Sequence, residues 1–103
     1  MSDSTPWTYA SEGIRRRVLE QTPDMMLVAV RFEQGASAPA HEHPHVQATY
    51  ILSSKFEFTI AGETKTVSAG DTLMIPGHTV HSGVSLEEGE LIDCFTPRRD
   101  DFL

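Results

Sequence analysis

Gly35-Ala36-Ser37-Ala38-Pro39-Ala40-His41-Glu42-His43-Pro44-His45-Val46-Gln47 and, further on, Gly70-Asp71-Thr72-Leu73-Met74-Ile75-Pro76-Gly77-His78-Thr79-Val80-His81 contain all 5 histidines of the 103-residue chain. Side chains alternate between the faces of an extended backbone. His41 and His43 therefore present two imidazoles on one side, and Glu42 points away. Gln47 shares their parity, with Pro44 bending the path between them. Neutral imidazole is the usual nitrogen donor to Zn²⁺, Ni²⁺, Fe²⁺ and Cu²⁺. A third donor from a distant strand, His81 or His78, would complete a three-histidine site. The competing reading of His-Glu-His-Pro-His is a solvated polar turn, which suits an isolated His-x-His. Two tight histidine groups in so short a chain favour metal.

Outward from these stretches the chain breaks into short strand-like runs. They are Arg16 to Glu20, Met25 to Glu33, Val46 to Leu52, Phe56 to Ile60, Thr64 to Val67, Thr72 to Ile75 and Glu90 to Thr96. Turn residues such as Thr22-Pro23-Asp24, Ala61-Gly62 and Ala69-Gly70-Asp71 separate them. Many short strands with frequent turn signals, and no long helical period, predict an all-β sandwich or barrel. In Lys55 to Ile60, Phe56, Phe58 and Ile60 share one face while Lys55, Glu57 and Thr59 share the other, as in a half-wet strand. Met25 to Phe32 is apolar on both faces, which predicts a central strand or one beneath a partner subunit; Tyr50-Ile51-Leu52 reads the same way. Residues 1–13 read as an N-terminal arm pinned by Trp7 and Tyr9, and residues 14–103 as one barrel domain. A domain this small gains from burying a further strand face, so a homodimer is expected.

Composition excludes several classes of function. With 15 acidic and 8 basic residues the net charge is −7, a poor match to nucleic acid or to an anionic membrane, and neither is expected as a partner. The single cysteine, Cys94, can form neither an internal disulfide nor a thiolate zinc site by itself. It reads as a buried small hydrophobe. No stretch has the apolar length to span a bilayer, and Met1-Ser2-Asp3-Ser4-Thr5-Pro6 lacks the basic and apolar regions of a signal peptide. A soluble, cytoplasmic setting is the expectation.

Near the C-terminus Leu91, Asp93 and Phe95 share one strand face. Desolvation would raise the pKa of Asp93 and a nearby cation would lower it. Beside a metal it is a candidate general acid/base; otherwise it caps a loop or pairs with an arginine. Arg98 and Arg99 either pair with Asp100 and Asp101 at the surface, or one of them reaches the barrel mouth to grip a carboxylate bidentately. In Arg15-Arg16-Arg17, parity sets Arg16 apart from its neighbours, and the run reads as a strand edge protected by charge.

The two histidine stretches resemble the paired motifs of cupins, G-x5-H-x-H-x3,4-E-x6-G and G-x5-P-x-G-x2-H. The family fold is a small double-stranded β-helix, or jelly-roll barrel, with a metal inside. The resemblance implies metal ligands at His41, His43, Gln47 and His81. It makes His78 a turn residue and leaves His45 at the mouth. Gln47 stands where many cupins carry a carboxylate, while Ser54 and His78 stand at glycine positions and are expected to accept a less positive φ. Three imidazoles and a neutral amide leave a bound dication its full charge. Such an ion is a stronger Lewis acid, attracts carboxylates and is held less tightly.

The ending Asp93-Cys94-Phe95-Thr96-Pro97-Arg98-Arg99-Asp100-Asp101-Phe102, the glutamine ligand and the opening Ile14-Arg15-Arg16-Arg17-Val18-Leu19 are similar to single-domain cupins of the KdgF type. That resemblance implies conversion of 4,5-unsaturated uronate monosaccharides to the linear 4-deoxy-5-keto-uronate in pectin and alginate breakdown. It also implies one divalent transition metal ion (Zn, Ni, Fe or Mn) and a small anionic sugar-acid substrate. Asp93 would move the proton, Arg99 would hold the C6 carboxylate and Phe95 would wall the pocket. The rival readings are another metal-dependent cupin enzyme, a dioxygenase or isomerase, and a non-catalytic small-molecule-binding cupin.

Overall fold

In the computed structural model of the chain, which describes residues 6–103, alternating sequence becomes two facing sheets. The elements are β1 (Thr8–Ser11), β2 (Ile14–Thr22), β3 (Met25–Phe32), β4 (Ser37–His41), β5 (Val46–Ile51), β6 (Lys55–Ile60), β7 (Glu63–Ser68), β8 (Thr72–Ile75), β9 (His81–Ser85) and β10 (Gly89–Thr96), followed by a 3-10 turn (Asp100–Phe102). The six-stranded sheet runs β1-β2-β3-β10-β5-β8 and the four-stranded sheet β4-β9-β6-β7. Every ladder is antiparallel. This is the jelly-roll arrangement that the cupin resemblance implies.

The core lies between the sheets. Val28, Val30, Ile51 and Leu91 of the larger sheet meet Phe56, Phe58 and Val67 of the smaller one. The rings of Phe32 and Phe56 pack edge to face at 5.1 Å between centroids, a geometry that favours the aromatic quadrupoles. Cross-strand partners share a sheet face, so the register fixes what points inward. One row runs Arg16, Val30, Leu91, Ile51; the next runs Val18, Val28, Asp93, Thr49, Leu73; a third runs Met26, Phe95, Gln47, Ile75. The apolar part of these rows is the barrel's core, and their polar members gather at one end of it.

The seven strands expected from pattern recur with ends shifted by at most 2 residues. Three further strands form from sequence with little strand character. β4 contains Pro39 and three small residues, and β9 contains two serines and Gly83. Gly83 is required by contact: a Cβ there would stand 2.5 Å from the Phe58 ring. Met25–Phe32 is the central strand its composition predicts, between β2 and β10. Of Tyr50-Ile51-Leu52 only Ile51 is buried, while Tyr50 and Leu52 are exposed. Cys94 is half-buried on that same outer face rather than in the core.

Residues 1–5 of the expected arm lie outside the described residues. Its later part forms β1, which pairs with β2 through Thr8–Arg16, Tyr9–Arg15 and Ser11–Ile14. β2 is therefore flanked on both sides, and the charge-protected edge expected for Arg15-Arg16-Arg17 is corrected. Each guanidinium instead packs on an aromatic ring: Arg15 on Tyr9 at 5.2 Å, Arg16 on Phe102 at 3.9 Å and Arg17 on Trp7 at 5.0 Å. Arg31 of β3 stacks on the same Trp7 at 4.0 Å.

Ser54 and His78 keep the left-handed conformation of the glycines they replace, with φ of 69° and 58°, so the expected relaxation of these turns does not occur. An L-residue there costs roughly 1–2 kcal/mol, of which about 0.4–1 kcal/mol is recovered through the stiffer unfolded chain. Ser54 also uses its hydroxyl, which donates to the Glu88 carbonyl; the His78 side chain is exposed and makes no such bond. His78→Gly is thus expected to stabilise the protein by about 0.5–1 kcal/mol, read as a raised urea midpoint at unchanged slope. A lowered midpoint would refute the strain assignment.

Candidate metal centre

The site is built where the two histidine stretches meet. Pro76-Gly77-His78 docks on the turn after His43: the His78 N–H donates to the His43 carbonyl at 2.7 Å. Gly77 has no room for a side chain, since a Cβ would lie 2.4 Å from the Pro44 carbonyl oxygen. His41 and His81 are direct partners in the β4–β9 ladder. The ring centroids stand 4.3 Å (His41–His81), 4.9 Å (His43–His81) and 5.7 Å (His41–His43) apart. One ring nitrogen from each falls within 4.8 Å of the others.

The ring orientations are fixed from behind. Nδ1 of His41 lies 2.9 Å from the Pro39 carbonyl, Nδ1 of His43 3.0 Å from that of His45, and Nδ1 of His81 2.8 Å from that of Thr79. A carbonyl can only accept, so each Nδ1 carries the proton and each Nε2 offers a lone pair. This is the outer support of metal-binding imidazoles. Burial lowers the pKa of His43 and of His81, with the positive charge of Arg99 adding to the effect at both, and so keeps the rings neutral.

Gln47 closes the set. Its Nε2 donates to Thr49 Oγ1 and to Asp93 Oδ1, each at 3.0 Å, and the Thr49 hydroxyl donates to the same Asp93 oxygen at 2.6 Å. The amide is thereby oriented with Oε1 toward His43 Nε2, 3.1 Å away. Two lone-pair atoms facing each other at this distance repel unless a cation lies between them. With His43 held neutral, a metal ion meets that requirement. The donor set, three imidazole nitrogens and an amide oxygen, suits a borderline divalent transition ion. His78 is exposed in its turn and outside the cluster. His45 lies beside the cluster, its ring 5.5 Å from that of His43, with a buried Nδ1 that has no hydrogen-bond partner among the described residues.

A cavity of about 270 Å³ opens beside the cluster, lined by His41, Gln47, His81, Asp93, Phe95 and Arg99 among others. Burial pushes the Asp93 carboxyl up to about 6, against the hydrogen bonds from Thr49 and Gln47 and the charge of Arg99. Its Oδ1 takes both hydrogen bonds; Oδ2 has no partner among the described residues. Phe95 packs edge to face on His43 at 5.7 Å and on Phe102 at 5.7 Å, linking the centre to the cavity wall. Both sequence readings of the arginine pair hold in part. Arg98 pairs with Asp100 and Arg99 with Asp101, yet the Arg99 side chain is only 12% exposed and borders the cavity. Pattern reading assigned no site role to Thr49, Arg16 or Phe102. Thr49 was discoverable from its parity with Gln47; Arg16 and Phe102 required the tertiary fold.

Residues 28–93 match the cupin domain family. The pectin degradation protein KdgF of Dickeya dadantii (strain 3937) is 41% identical across 100% of this chain and 96% of its own. The structure of KdgF from Halomonas sp. superposes with a TM-score of 0.91 at 41% identity, covering 95% of this chain and 91% of that one. An RmlC-like cupin from Shewanella frigidimarina NCIMB 400 superposes with a TM-score of 0.93 at 33% identity, covering 96% and 89%.

His41 is exposed, so His41→Ala is expected to leave the fold intact while removing stoichiometric metal, read by elemental analysis beside circular dichroism. Retention of full metal by this variant would exclude His41 from the ligand set. The chain belongs to the cupin family and, within it, to the KdgF proteins.

Proposed function

We propose that the protein linearises 4,5-unsaturated uronate monosaccharides, using one divalent transition ion held by His41, His43, Gln47 and His81. The observation that carries this reading is the meeting, on one small cavity, of the three-histidine cluster, an unpartnered carboxylate oxygen on Asp93 and the Arg99 guanidinium. Similarity to the pectin degradation protein KdgF, 41% identical across the whole chain, supports the pectin-derived substrate class. When bound, the ion supplies Lewis-acid polarisation of a substrate oxygen.

The reaction is balanced without a co-reactant. The anomeric hydroxyl loses its proton, the bond from C1 to the ring oxygen breaks, the ring oxygen becomes the C5 ketone, and C4 gains a proton. Asp93 Oδ2 is the group that takes or returns that proton. Thr49 and Gln47 hold the other carboxylate oxygen, so the working oxygen stays aimed into the cavity. Arg99 orients the substrate carboxylate with the terminal N–H groups that Asp101 leaves free. Phe95 walls the site and excludes water. A small cavity favours a monosaccharide over longer chains.

The homodimer expected from sequence is assigned here to the outer face of the larger sheet. Tyr50 and Met74 are 46% and 64% exposed there, beside Leu27, Ile92 and Cys94. This groove carries no charged residue, so two copies of a chain of net charge −7 meet there with least repulsion. The cytoplasm remains the proposed location, where intracellular uronates are processed. Sedimentation equilibrium should give twice the chain mass for the native protein and the single mass for Met74→Glu; a native monomer would overturn the assignment.

With metal-loaded protein, unsaturated galacturonate should lose its ultraviolet absorbance. Asp93→Asn should retain metal and lower kcat by roughly 10²–10⁴-fold, the worth of general acid–base transfer. No turnover by fully loaded native protein would end the uronate reading; turnover undiminished in Asp93→Asn would remove Asp93 from the chemistry.

A further inference from the structure

Arg16 stands in the inward-facing row of Val30 and Leu91, one row from Asp93. It borders the same cavity as His41, His81 and Asp93. Arg16 and Arg99 are the cations of that wall among the described residues, and both lie over the Phe102 ring, at 3.9 and 4.2 Å. Their surroundings otherwise differ. Nε and Nη2 of Arg99 bind Asp101 at 3.0 and 2.8 Å, so a carboxylate already balances this charge. The Arg16 guanidinium has no hydrogen bond or ion pair with any described residue; Asp101 acts on it only through space.

Stacking on an aromatic ring uses the face of a guanidinium and leaves its in-plane N–H groups free. It also fixes the plane, so little freedom remains to be lost when a ligand binds. Partial burial strips water from this cation and lowers its pKa, a cost that no bonded carboxylate offsets. An oriented, desolvated and unpaired guanidinium on a cavity wall is complementary to an anion entering that cavity.

We propose that Arg16 is a substrate-binding residue that holds the carboxylate of the sugar acid together with Arg99, and supplies the uncompensated charge that Arg99, paired with Asp101, does not. Phe102 is the platform that keeps both guanidiniums in position. The inference rests on the proposed uronate substrate for its ligand, and on the cavity alone for its anion preference. Arg16 would then select acids over neutral sugars of the same shape.

Two measurements on the metal-loaded full chain test it. In steady-state assays with unsaturated galacturonate, Arg16→Met should raise KM on the order of 10- to 100-fold, the worth of a charged hydrogen bond, with kcat within about 3-fold of native. Arg16→Lys should recover part of the loss. Arg15→Met, on the opposite face of β2, should change neither constant. In calorimetry, native protein should bind saturated galacturonate in preference to galactose, and Arg16→Met should lose the preference. Unchanged KM and unchanged galacturonate affinity in Arg16→Met would overturn the role of Arg16 while leaving the uronate activity standing. Arg16-dependent galacturonate binding without native turnover would uphold Arg16 and overturn the activity. A native protein that binds both sugars equally, or neither, would overturn the anion site itself.

Discussion

The contact on which the site depends is the clasp between two turns remote in sequence. The His78 N–H reaches the His43 carbonyl while Gly77 lies against Pro44 with no space for even a methyl group. This draws the strand that begins at His81 beneath the turn that carries His43. Ladder pairing of β4 with β9 would bring His41 to His81 without it, but not His43 or Gln47. A chain of this size has few contacts with which to bring three rings together, and most of the ordering entropy is met by the sheets themselves. The glycine is needed because backbone approaches backbone, a reason distinct from φ.

Behind the donor set is a relay of polar groups. Each ring is held by a carbonyl, and Gln47 is held by Thr49 and Asp93. Asp93 thus orients the Gln47 amide with one oxygen and offers the other to the cavity. Substituting the amide with a carboxylate would place two anions side by side at positions 47 and 93, so the neutral amide and the buried acid are physically linked choices. The cavity's charge also runs against that of the whole molecule. The chain is strongly acidic, yet two guanidiniums face a single carboxylate on this wall among the described residues. Beyond a Debye length of about 8 Å at physiological salt the net charge is screened, and the local balance governs an incoming acid.

Much of this was legible in sequence, for identifiable reasons. Strands with strict alternation, such as Lys55–Ile60, announce their buried face, and the apolar run Met25–Phe32 announces a central position. The histidine spacing placed both halves of the cluster, and parity put Asp93 on one face with Leu91 and Phe95; that this face is the inner one came from the sheet, since Cys94 on the other face had read as the buried residue. Sequence was silent where tertiary contact overrides propensity. β9 is strand because β4 and β6 flank it, despite its serines and glycine. Ser54 and His78 keep a glycine-like φ that residue type alone argued against. The arginine run looked like surface because its partners, Trp7, Tyr9 and Phe102, come from opposite ends of the chain.

Trp7 gives one of these contacts a practical use. It is the sole indole of the chain and lies over Arg31 and beside Arg17, just ahead of β1. Ala10 and Ser11 of β1 form part of the cavity wall. Excited at wavelengths the two tyrosines do not absorb, its fluorescence therefore reports how the segment leading into that wall is seated on β2 and β3, an optical handle on the edge of the barrel.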